Sequence, residues 1–312
     1  MKILIISGFL GAGKTTFIKE LVKRTGKNFV ILENEYGTAD VDQQVLKDQS
    51  QMNVWDLSEG CVCCTKSADL NASVMTIEST IQPEFLIIEP SGVGSLGNVI
   101  RNLQKIEYER IKLLRPITIV DALCMEQYYN EFADIYGDQI RSSSMVAISK
   151  PERPSSYEYD AVKKIIEETG SRAELIDRHY TLMPDTWWNS LLMTAYDGEV
   201  MQSDADMESG LETYSVSHAN VSSPAELLCM LDQALKGRFG EIVRAKGIIP
   251  AGSEMVRFDI AGGRITITGF DAEDGTEAKA ECVWIGRGLD RLAIKKYLHA
   301  TFTQIREKKM RK

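Results

Sequence analysis

The sequence predicts an α/β protein built on a mostly parallel sheet, followed by a small α+β domain. Three observations support this prediction. Short β-rich apolar runs alternate with helical stretches through the first half of the chain, a glycine-rich turn joins the first run to the first helical stretch, and the pattern changes near residue 179. Strands that alternate with helices favour a parallel sheet, because each helix returns the chain to the same end of the sheet.

The first half contains apolar runs of the length and composition of buried strands, separated by stretches with apolar residues at helical spacing. The predicted strands are residues 2–6, 28–33, 53–57, 85–88, 116–120, 145–148 and 173–176. The predicted helices are residues 16–24, 67–80, 97–106 and 160–169, with a further helical stretch between the strands that end at 120 and begin at 145.

The second half has a different order of elements. A strand at 211–216 and a helix at 224–235 precede strands at 255–260, 264–268 and 281–285, and a helix at 289–303 closes the chain. Gly262-Gly263 lies between two alternating runs, which is the signal of a tight hairpin. We therefore predict an α/β domain at 1–195, an acidic linker at 196–210 and an α+β domain at 211–312.

The bulk composition narrows the function classes. The 312 residues carry a net charge of −9, which disfavours nucleic acid and anionic membranes as partners. No apolar run approaches the roughly 20 residues that a membrane helix needs. Because the first predicted strand begins at residue 2, we expect no signal peptide and a cytoplasmic protein.

The glycine-rich turn is a phosphate-binding motif. Gly8 to Thr15 match G-x-x-x-x-G-K-[ST] between a strand and a helix, the context that this motif requires. Backbone N–H groups of the loop and the helix N-terminus would bind phosphate oxygens. Lys14 would reach the outer phosphates and Thr15 would ligate Mg²⁺. The predicted nucleotide contacts in this loop are Gly11, Ala12, Gly13, Lys14, Thr15 and Thr16.

Two further segments lie where open α/β sheets bind ligands, at the carboxyl ends of the strands. Glu89 ends a buried strand and is the predicted second Mg²⁺-organising carboxylate, and Gly92 would offer its N–H to the γ-phosphate. The acidic segment from Glu33 to Asp42 follows another strand and is predicted to act at the nucleotide or a metal. The predicted catalytic residues are Lys14, Glu89 and Asp42.

Cys61, Cys63 and Cys64 place three thiols in one tight loop. Zn²⁺, Co²⁺ and Cu(I) favour such soft ligands, and Glu35 or water would complete the site. A redox-active thiol pair and coincidental clustering are the alternatives. The remaining cysteines, Cys124, Cys229 and Cys282, are predicted to be buried, inert thiols. The histidines, His179, His218 and His299, are predicted to be structural.

Together these motifs resemble the CobW-like family of P-loop GTPases, which is related to the hydrogenase- and urease-maturation GTPases. The matching segments are Gly8 to Thr16, the ENEYG segment with Asp42 after it, GCVCCT at 60–65, IIEPSG at 87–92, VDA at 120–122, Arg244 to Gly247, and 284–298. The resemblance implies a metal-handling GTPase that delivers a transition metal to a client, with the cysteines as the metal motif. The histidine-rich tract of many members is absent from this sequence, so we expect no bulk metal storage.

The chain departs from the family at the guanine-reading motif. Where N-K-x-D is expected, it reads Ser149-Lys150-Pro151-Glu152, so the asparagine amide is missing and the carboxylate is one methylene longer. The predicted base contacts are Ser149, Lys150 and Glu152, and GTP and ATP both remain open.

The leading interpretation is a Mg²⁺-dependent NTPase acting as a metallochaperone or metalloenzyme activator, with Zn²⁺ or Co²⁺ at the CxCC loop and a client metalloprotein as partner. The alternatives are an ATP-using activator of a corrinoid or metal enzyme and a nucleotide-gated binding module with negligible hydrolysis. The sequence does not specify the oligomeric state.

Overall fold

The computed structural model describes residues 1–33, 52–56, 67–198, 210–270 and 280–298, with side chains omitted at 52–56 and 67–69. The described residues divide into two compact units, 1–198 and 210–298. Within the described residues, no helix is both long enough and apolar enough to cross a membrane.

The first unit is a parallel α/β domain. Within its described residues, eight strands form one sheet in the order β3-β2-β4-β1-β6-β7-β8, with β5 paired to β1, and the pairings are parallel. The strands are β1 (Lys2–Ser7), β2 (Phe29–Glu33), β3 (Met52–Asp56), β4 (Phe85–Glu89), β5 (Lys112–Leu113), β6 (Ile117–Asp121), β7 (Met145–Lys150) and β8 (Glu174–Leu175).

Helices cover both faces of this sheet. They are α1 (Lys14–Thr25), α2 (Ser67–Thr80), α3 (Leu96–Gln104), α4 (Met125–Glu131), α5 (Ala133–Arg141), α6 (Ser156–Glu168), α7 (Asp185–Ser190), and a 3-10 turn at Tyr180–Leu182. Apolar residues of α1 pack with Tyr180 and Trp188 on one face of the sheet. Apolar residues of α2 and α3 pack on the other face. The predicted parallel sheet with helices on both faces is confirmed.

The second unit is the predicted α+β domain. Its described strands are β9 (Glu212–Ser217), β10 (Glu241–Ala251), β11 (Glu254–Ala261), β12 (Arg264–Gly269) and β13 (Glu281–Arg287), in the order β12-β11-β10-β13-β9. The pairings are antiparallel, and one face packs against α8 (Pro224–Leu235) and the helical residues 291–298. Gly262 and Gly263 form the hairpin turn with φ angles of 56° and 67°, a backbone conformation that favours glycine.

The structure contains elements that the sequence analysis did not identify. Strand β10, with 11 residues, is the longest of the described strands. It is buried on both faces, so it lacks the apolar–polar alternation of a half-buried strand. Helix α7 is short, with six residues that include Trp187 and Trp188. Helix α6 begins at Ser156, four residues before its predicted start, because Ser155 and Glu158 form a capping box.

The predicted boundaries at 195, 196–210 and 211 remain a proposal, because most of the proposed linker lies outside the described residues.

Candidate nucleotide-binding site

The glycine-rich turn forms a tight loop between β1 and α1. Gly8, Gly11 and Gly13 have φ angles of 145°, 75° and 95°, and Gly13 precedes the first residue of α1. A Cβ atom on Gly8 would lie 2.4 Å from the carbonyl oxygen of Ile119 in β6, so only glycine fits there. The loop therefore lies tightly against the sheet and presents the α1 N-terminus, an arrangement suited to binding phosphate.

Lys14 and Thr15 converge on Glu89 at the end of β4. The Lys14 ammonium is buried, donates to the carbonyl oxygen of Gly8 at 3.1 Å, and lies 3.9 Å from Glu89 Oε1. The Thr15 hydroxyl lies 3.4 Å from each carboxylate oxygen of Glu89. A cation, a hydroxyl and a carboxylate thus meet beside the phosphate loop.

A second carboxylate lies next to Glu89 in the sheet. Glu33 ends β2 and is the register partner of Glu89 in β4, and both residues are buried. Their side chains point to the α1 face, since residues two and four positions earlier in each strand pack in the core beneath α1. The sheet edge beside Thr15 therefore holds two acidic side chains.

The loop after β4 packs directly against the phosphate loop. A Cβ atom on Gly92 would lie 2.8 Å from the backbone nitrogen of Leu10, so the two backbones are in close contact. Ser91 and Gly94 close a tight turn, with the Gly94 N–H donating to the Ser91 carbonyl at 2.9 Å. The side-chain amide of Gln139 donates to the carbonyls of Gly92 at 3.1 Å and Gly94 at 3.2 Å.

Ser149 and Lys150 tie the end of β7 to the phosphate loop. The Ser149 hydroxyl donates to the carbonyl of Ala12, and the Lys150 ammonium donates to the carbonyl of Gly11 at 2.9 Å. Asp121 at the end of β6 lies 3.3 Å from the Lys150 ammonium and is buried. The Ser149 hydroxyl is thus used within the protein, and Asp121 orients Lys150.

Glu152 and His179 flank this strand end differently. Glu152 is exposed in the segment that follows β7. His179 is buried, with Nε2 3.2 Å from the Ser149 carbonyl and Nδ1 2.7 Å from the Thr181 hydroxyl. Its ring stacks on Tyr180 with centroids 4.4 Å apart. His179 therefore supports the end of β7.

An aromatic cluster joins the phosphate loop to α4 and α5. The ring of Phe9 packs against those of Tyr128, Phe132 and Tyr136, at centroid distances of 4.8, 5.2 and 5.7 Å. Burial raises the pKa of Tyr136 well above its ordinary value, and nearby Cys124 and Asp121 raise it further. Tyr136 is therefore a neutral packing residue at physiological pH.

Several predicted site residues lie outside the described residues: Glu35, Asp42, Cys61, Cys63 and Cys64. Within the described part of the chain, no group of three or more His, Cys, Asp or Glu side chains is placed to hold a metal ion. Cys124 and Cys282 are buried as predicted, whereas Cys229 is exposed on α8, so the prediction that it is buried was wrong. Cys229 lies in an amphipathic helix, next to Met230 in sequence but outside the set of buried residues that pack on the sheet.

The structure brings together Lys14, Thr15 and Glu89, and packs Gly92 against Leu10 of the phosphate loop. Ser149 and Lys150 are hydrogen-bonded to backbone carbonyls of that loop. The sequence analysis missed Asp121 and Gln139 as site residues. Asp121 follows a buried apolar run at the carboxyl edge of the sheet, a signal that could have identified it. Gln139 lies within a helix, and nothing local in the sequence distinguishes it.

Comparison with protein families gives two matches along the chain. Residues 2–177 match the family described as CobW/HypB/UreG, nucleotide-binding domain. Residues 211–302 match the family described as cobalamin synthesis protein cobW C-terminal domain.

Curated relatives carry similar sequences. The zinc chaperone YjiA of Escherichia coli is 28% identical over 158 residues, which is 48% of this chain and 49% of the relative. The zinc-regulated GTPase metalloprotein activator 1 of Schizosaccharomyces pombe is 25% identical over 236 residues, 73% of this chain and 56% of the relative. The chain thus spans about half the length of the curated relatives that it matches.

A solved structure of Zn(II)-bound YjiA GTPase from E. coli aligns with 96% of this chain and 98% of its own, at 15% identity and a TM-score of 0.44. A structure of HypB from Helicobacter pylori in complex with nickel aligns with 61% of this chain and 81% of its own, at 18% identity and a TM-score of 0.43.

Proposed function

The chain belongs to the CobW/HypB/UreG family, and from this premise we propose that it is a Mg²⁺-dependent nucleoside triphosphatase, with GTP as substrate, that delivers a transition metal to a client metalloprotein. The observation that carries the proposal is the convergence of Lys14 and Thr15 on Glu89 beside the phosphate loop. Family membership supports nucleotide binding; hydrolysis and metal delivery by this chain are our proposal.

Phosphoryl transfer needs positive charge and precise positioning at the outer phosphates more than it needs covalent chemistry. Lys14 supplies a buried ammonium, which lies 3.1 Å from the Gly8 carbonyl oxygen and 3.9 Å from Glu89 Oε1. A phosphate oxygen bound in the loop would compete with these two groups for the ammonium. Gly92 lies against the phosphate loop, where its N–H would bind the γ-phosphate. Asp42, outside the described residues, is proposed to complete the catalytic set.

The residues beside the loop fit a magnesium ion. Mg²⁺ prefers oxygen ligands and is usually held by one or two protein groups together with phosphates and water. The Thr15 hydroxyl and the Glu89 carboxylate would hold it, with the neighbouring Glu33 carboxylate adding negative charge. When bound, the ion would neutralise charge on the β- and γ-phosphates.

We propose guanine as the base, bound by residues at and after the end of β7. The loss of asparagine at position 149 is compensated in one respect, because the Ser149 hydroxyl anchors the phosphate loop through the Ala12 carbonyl. Lys150 is fixed alongside by Gly11 and Asp121, so its stem can lie along a base. The exposed Glu152 carboxylate would accept hydrogen bonds from the N1–H and N2 amino groups of guanine. Adenine has neither of these donors.

Metal delivery is proposed from the sequence and the relatives. Cys61, Cys63 and Cys64, with Glu35 or water, would bind the ion being delivered, and a client metalloprotein would receive it. Matched relatives are named zinc chaperones and zinc-regulated GTPase metalloprotein activators, which supports zinc over cobalt as the ion.

The test is a comparison of GTP and ATP with the purified chain. We expect GTP to bind more tightly than ATP in the presence of Mg²⁺ and to be hydrolysed slowly, with turnover changing when Zn²⁺ is added. Tighter ATP binding would favour the ATP-using activator. Tight nucleotide binding with no turnover, with or without metal, would favour the nucleotide-gated binding module.

A further inference from the structure

Helices α4 and α5, with Phe132 between them, contact both the phosphate loop and the loop after β4. Phe9 of the phosphate loop packs on Tyr128 and Phe132, and Gln139 of α5 binds the loop after β4. We infer that Gln139 is a positioning residue that presets the loop after β4 to distinguish a nucleoside triphosphate from a diphosphate. This inference rests on the proposed nucleotide-binding function.

The Gln139 side chain is well placed for this role. The residue is 1% exposed, and its one amide nitrogen donates to the carbonyls of both Gly92 and Gly94. The backbone carbonyl oxygen of Gln139 accepts a hydrogen bond from the Thr118 hydroxyl in β6 at 2.8 Å, which fixes α5 to the sheet. Because the Gln139 backbone is bonded to β6, its buried amide holds the Gly92 and Gly94 carbonyls in one arrangement.

The neighbouring residue secures the same loop at its far end. Asp138, also 1% exposed, accepts at 3.2 Å from the backbone N–H of Gly97 in the first turn of α3. The Ser95 hydroxyl caps that helix by accepting from the Asn98 N–H at 3.0 Å. The segment between β4 and α3 is thus bound by α5 at its middle and at its end.

By holding the Gly92 and Gly94 carbonyls, Gln139 also helps to set the direction of the Gly92 N–H, because Gly94 is the residue that closes the turn with Ser91. The Ser91 carbonyl is held within its turn by the Gly94 N–H, and a trans peptide directs its N–H opposite to its carbonyl. The Gly92 N–H therefore points out of the turn, and Gly92 itself packs against Leu10 of the phosphate loop. A donor held in place before the ligand arrives avoids the entropy cost of ordering it on binding.

A glutamine is suited to this task because it presents two N–H donors without charge. Gly92 and Gly94 have backbone freedom that most residues lack, so without Gln139 the loop would sample several conformations. The expected consequence is specific. Diphosphate binding uses the glycine-rich loop and Lys14, whereas the additional affinity for triphosphate uses the preset Gly92 N–H.

The experiment measures binding of GDP and of a non-hydrolysable GTP analogue, and of the matching adenine pair, to the full chain with Mg²⁺. In Gln139→Leu we expect the preference for triphosphate over diphosphate to fall about tenfold or more, the effect of losing one hydrogen bond to a charged group. Diphosphate affinity should stay near that of the wild type. Gln127→Leu, which alters an exposed glutamine on α4, is the matched control and should change neither affinity.

Gln139→Glu provides a second test that does not depend on the leucine variant folding. A carboxylate facing two carbonyls cannot donate, whereas its protonated form can, and burial raises its pKa. The triphosphate preference of this variant, relative to wild type, should be lost at pH 8 and partly recover at pH 6. An unchanged preference in both variants would overturn the inference, while a wild-type chain that binds neither nucleotide pair would overturn the proposed function as well.

Discussion

Lys14 shows how one residue can link folding and function. It is a cation with 5% exposure, a position that most lysines avoid because desolvating an ammonium is costly. The Gly8 carbonyl and Glu89 offset part of that cost in the described structure. This burial is what we expect of a lysine proposed to bind phosphate, because a bound anion would offset more of that cost.

We predict that Lys14→Ala abolishes nucleoside triphosphate hydrolysis and strongly weakens binding. Loss of a charge that stabilises the transition state typically lowers turnover by roughly a hundredfold to a thousandfold. Steady-state turnover and equilibrium binding are the measurements. Lys23→Ala, at an exposed position in the last turn of the same helix, is the control and should leave both unchanged. Hydrolysis near the wild-type rate in Lys14→Ala would contradict the prediction.

We predict that Cys61, Cys63 and Cys64 bind one Zn²⁺ or Co²⁺ per chain. Titration with Co²⁺ should produce thiolate charge-transfer absorption near neutral pH that weakens in acid, because protons compete for the thiolates. Cys63→Ala/Cys64→Ala should remove the absorption. Cys229→Ala, which removes an exposed thiol on α8, should not. The same spectrum from the double variant would place the metal elsewhere.

At the scale of elements, the carboxyl ends of adjacent parallel strands gather the site. Strands β1, β2, β4, β6 and β7 deliver the phosphate loop, Glu33, Glu89, Asp121 and Ser149 to one edge of the sheet. Parallel pairing is responsible, because it brings every strand's carboxyl end to the same side. At this edge the loop after β4 packs closely on the phosphate loop, through Gly92 and Leu10.

We therefore predict that Gly92→Ala weakens triphosphate binding about tenfold or more, the effect of displacing one donor from a charged ligand. The new methyl group would lie 2.8 Å from the Leu10 backbone nitrogen, so the loop must shift. Calorimetric titration with a non-hydrolysable triphosphate and with diphosphate measures the effect. Gly269→Ala, where a Cβ meets nothing within 4 Å, is the matched control. Equal triphosphate affinity in Gly92→Ala and wild type would disprove the close-packing argument.

For the whole molecule, we predict that nucleotide and metal affect each other's binding. Coupling must be reciprocal, so a nucleotide that changes metal affinity several-fold is itself bound several-fold differently when metal is present. The expected coupling free energy is about 1–3 kcal/mol. Metal affinity measured without nucleotide, with diphosphate and with a non-hydrolysable triphosphate tests this. Three equal affinities would exclude nucleotide-controlled metal delivery.

Stability should also fall at high pH, because buried weak acids are neutral in the folded protein. Burial raises the pKa of Cys282 from 9.0 to about 12, despite the hydrogen bond from Trp284 Nε1, and burial likewise raises the pKa of Tyr180 from 10.0 to about 12. The unfolded chain loses these protons first as pH rises. The unfolding free energy therefore decreases from about pH 9 to pH 12 and is unaffected by these groups below pH 9.

Cys282 alone contributes a slope of up to about 1.4 kcal/mol per pH unit within that window. Chemical denaturation between pH 8 and pH 11, followed by circular dichroism, measures the slope. Cys282→Ala should reduce it, and Cys229→Ala, at an exposed position, should leave it unchanged. Identical slopes in the wild type and Cys282→Ala would show that the thiol does not titrate with unfolding.

The sequence by itself determined the strand–loop–helix of the phosphate site, the parallel sheet and the Gly262–Gly263 hairpin, because each depends on local spacing and backbone preference. Only the tertiary structure decided that Ser149 anchors the phosphate loop, that Asp121 orients Lys150 and that Gln139 holds the loop after β4. In the sequence, the paired residues of these three contacts lie 137, 29 and 47 positions apart. Such pairs depend on which strands become neighbours, and strand order is set by packing of the whole domain rather than by any local pattern.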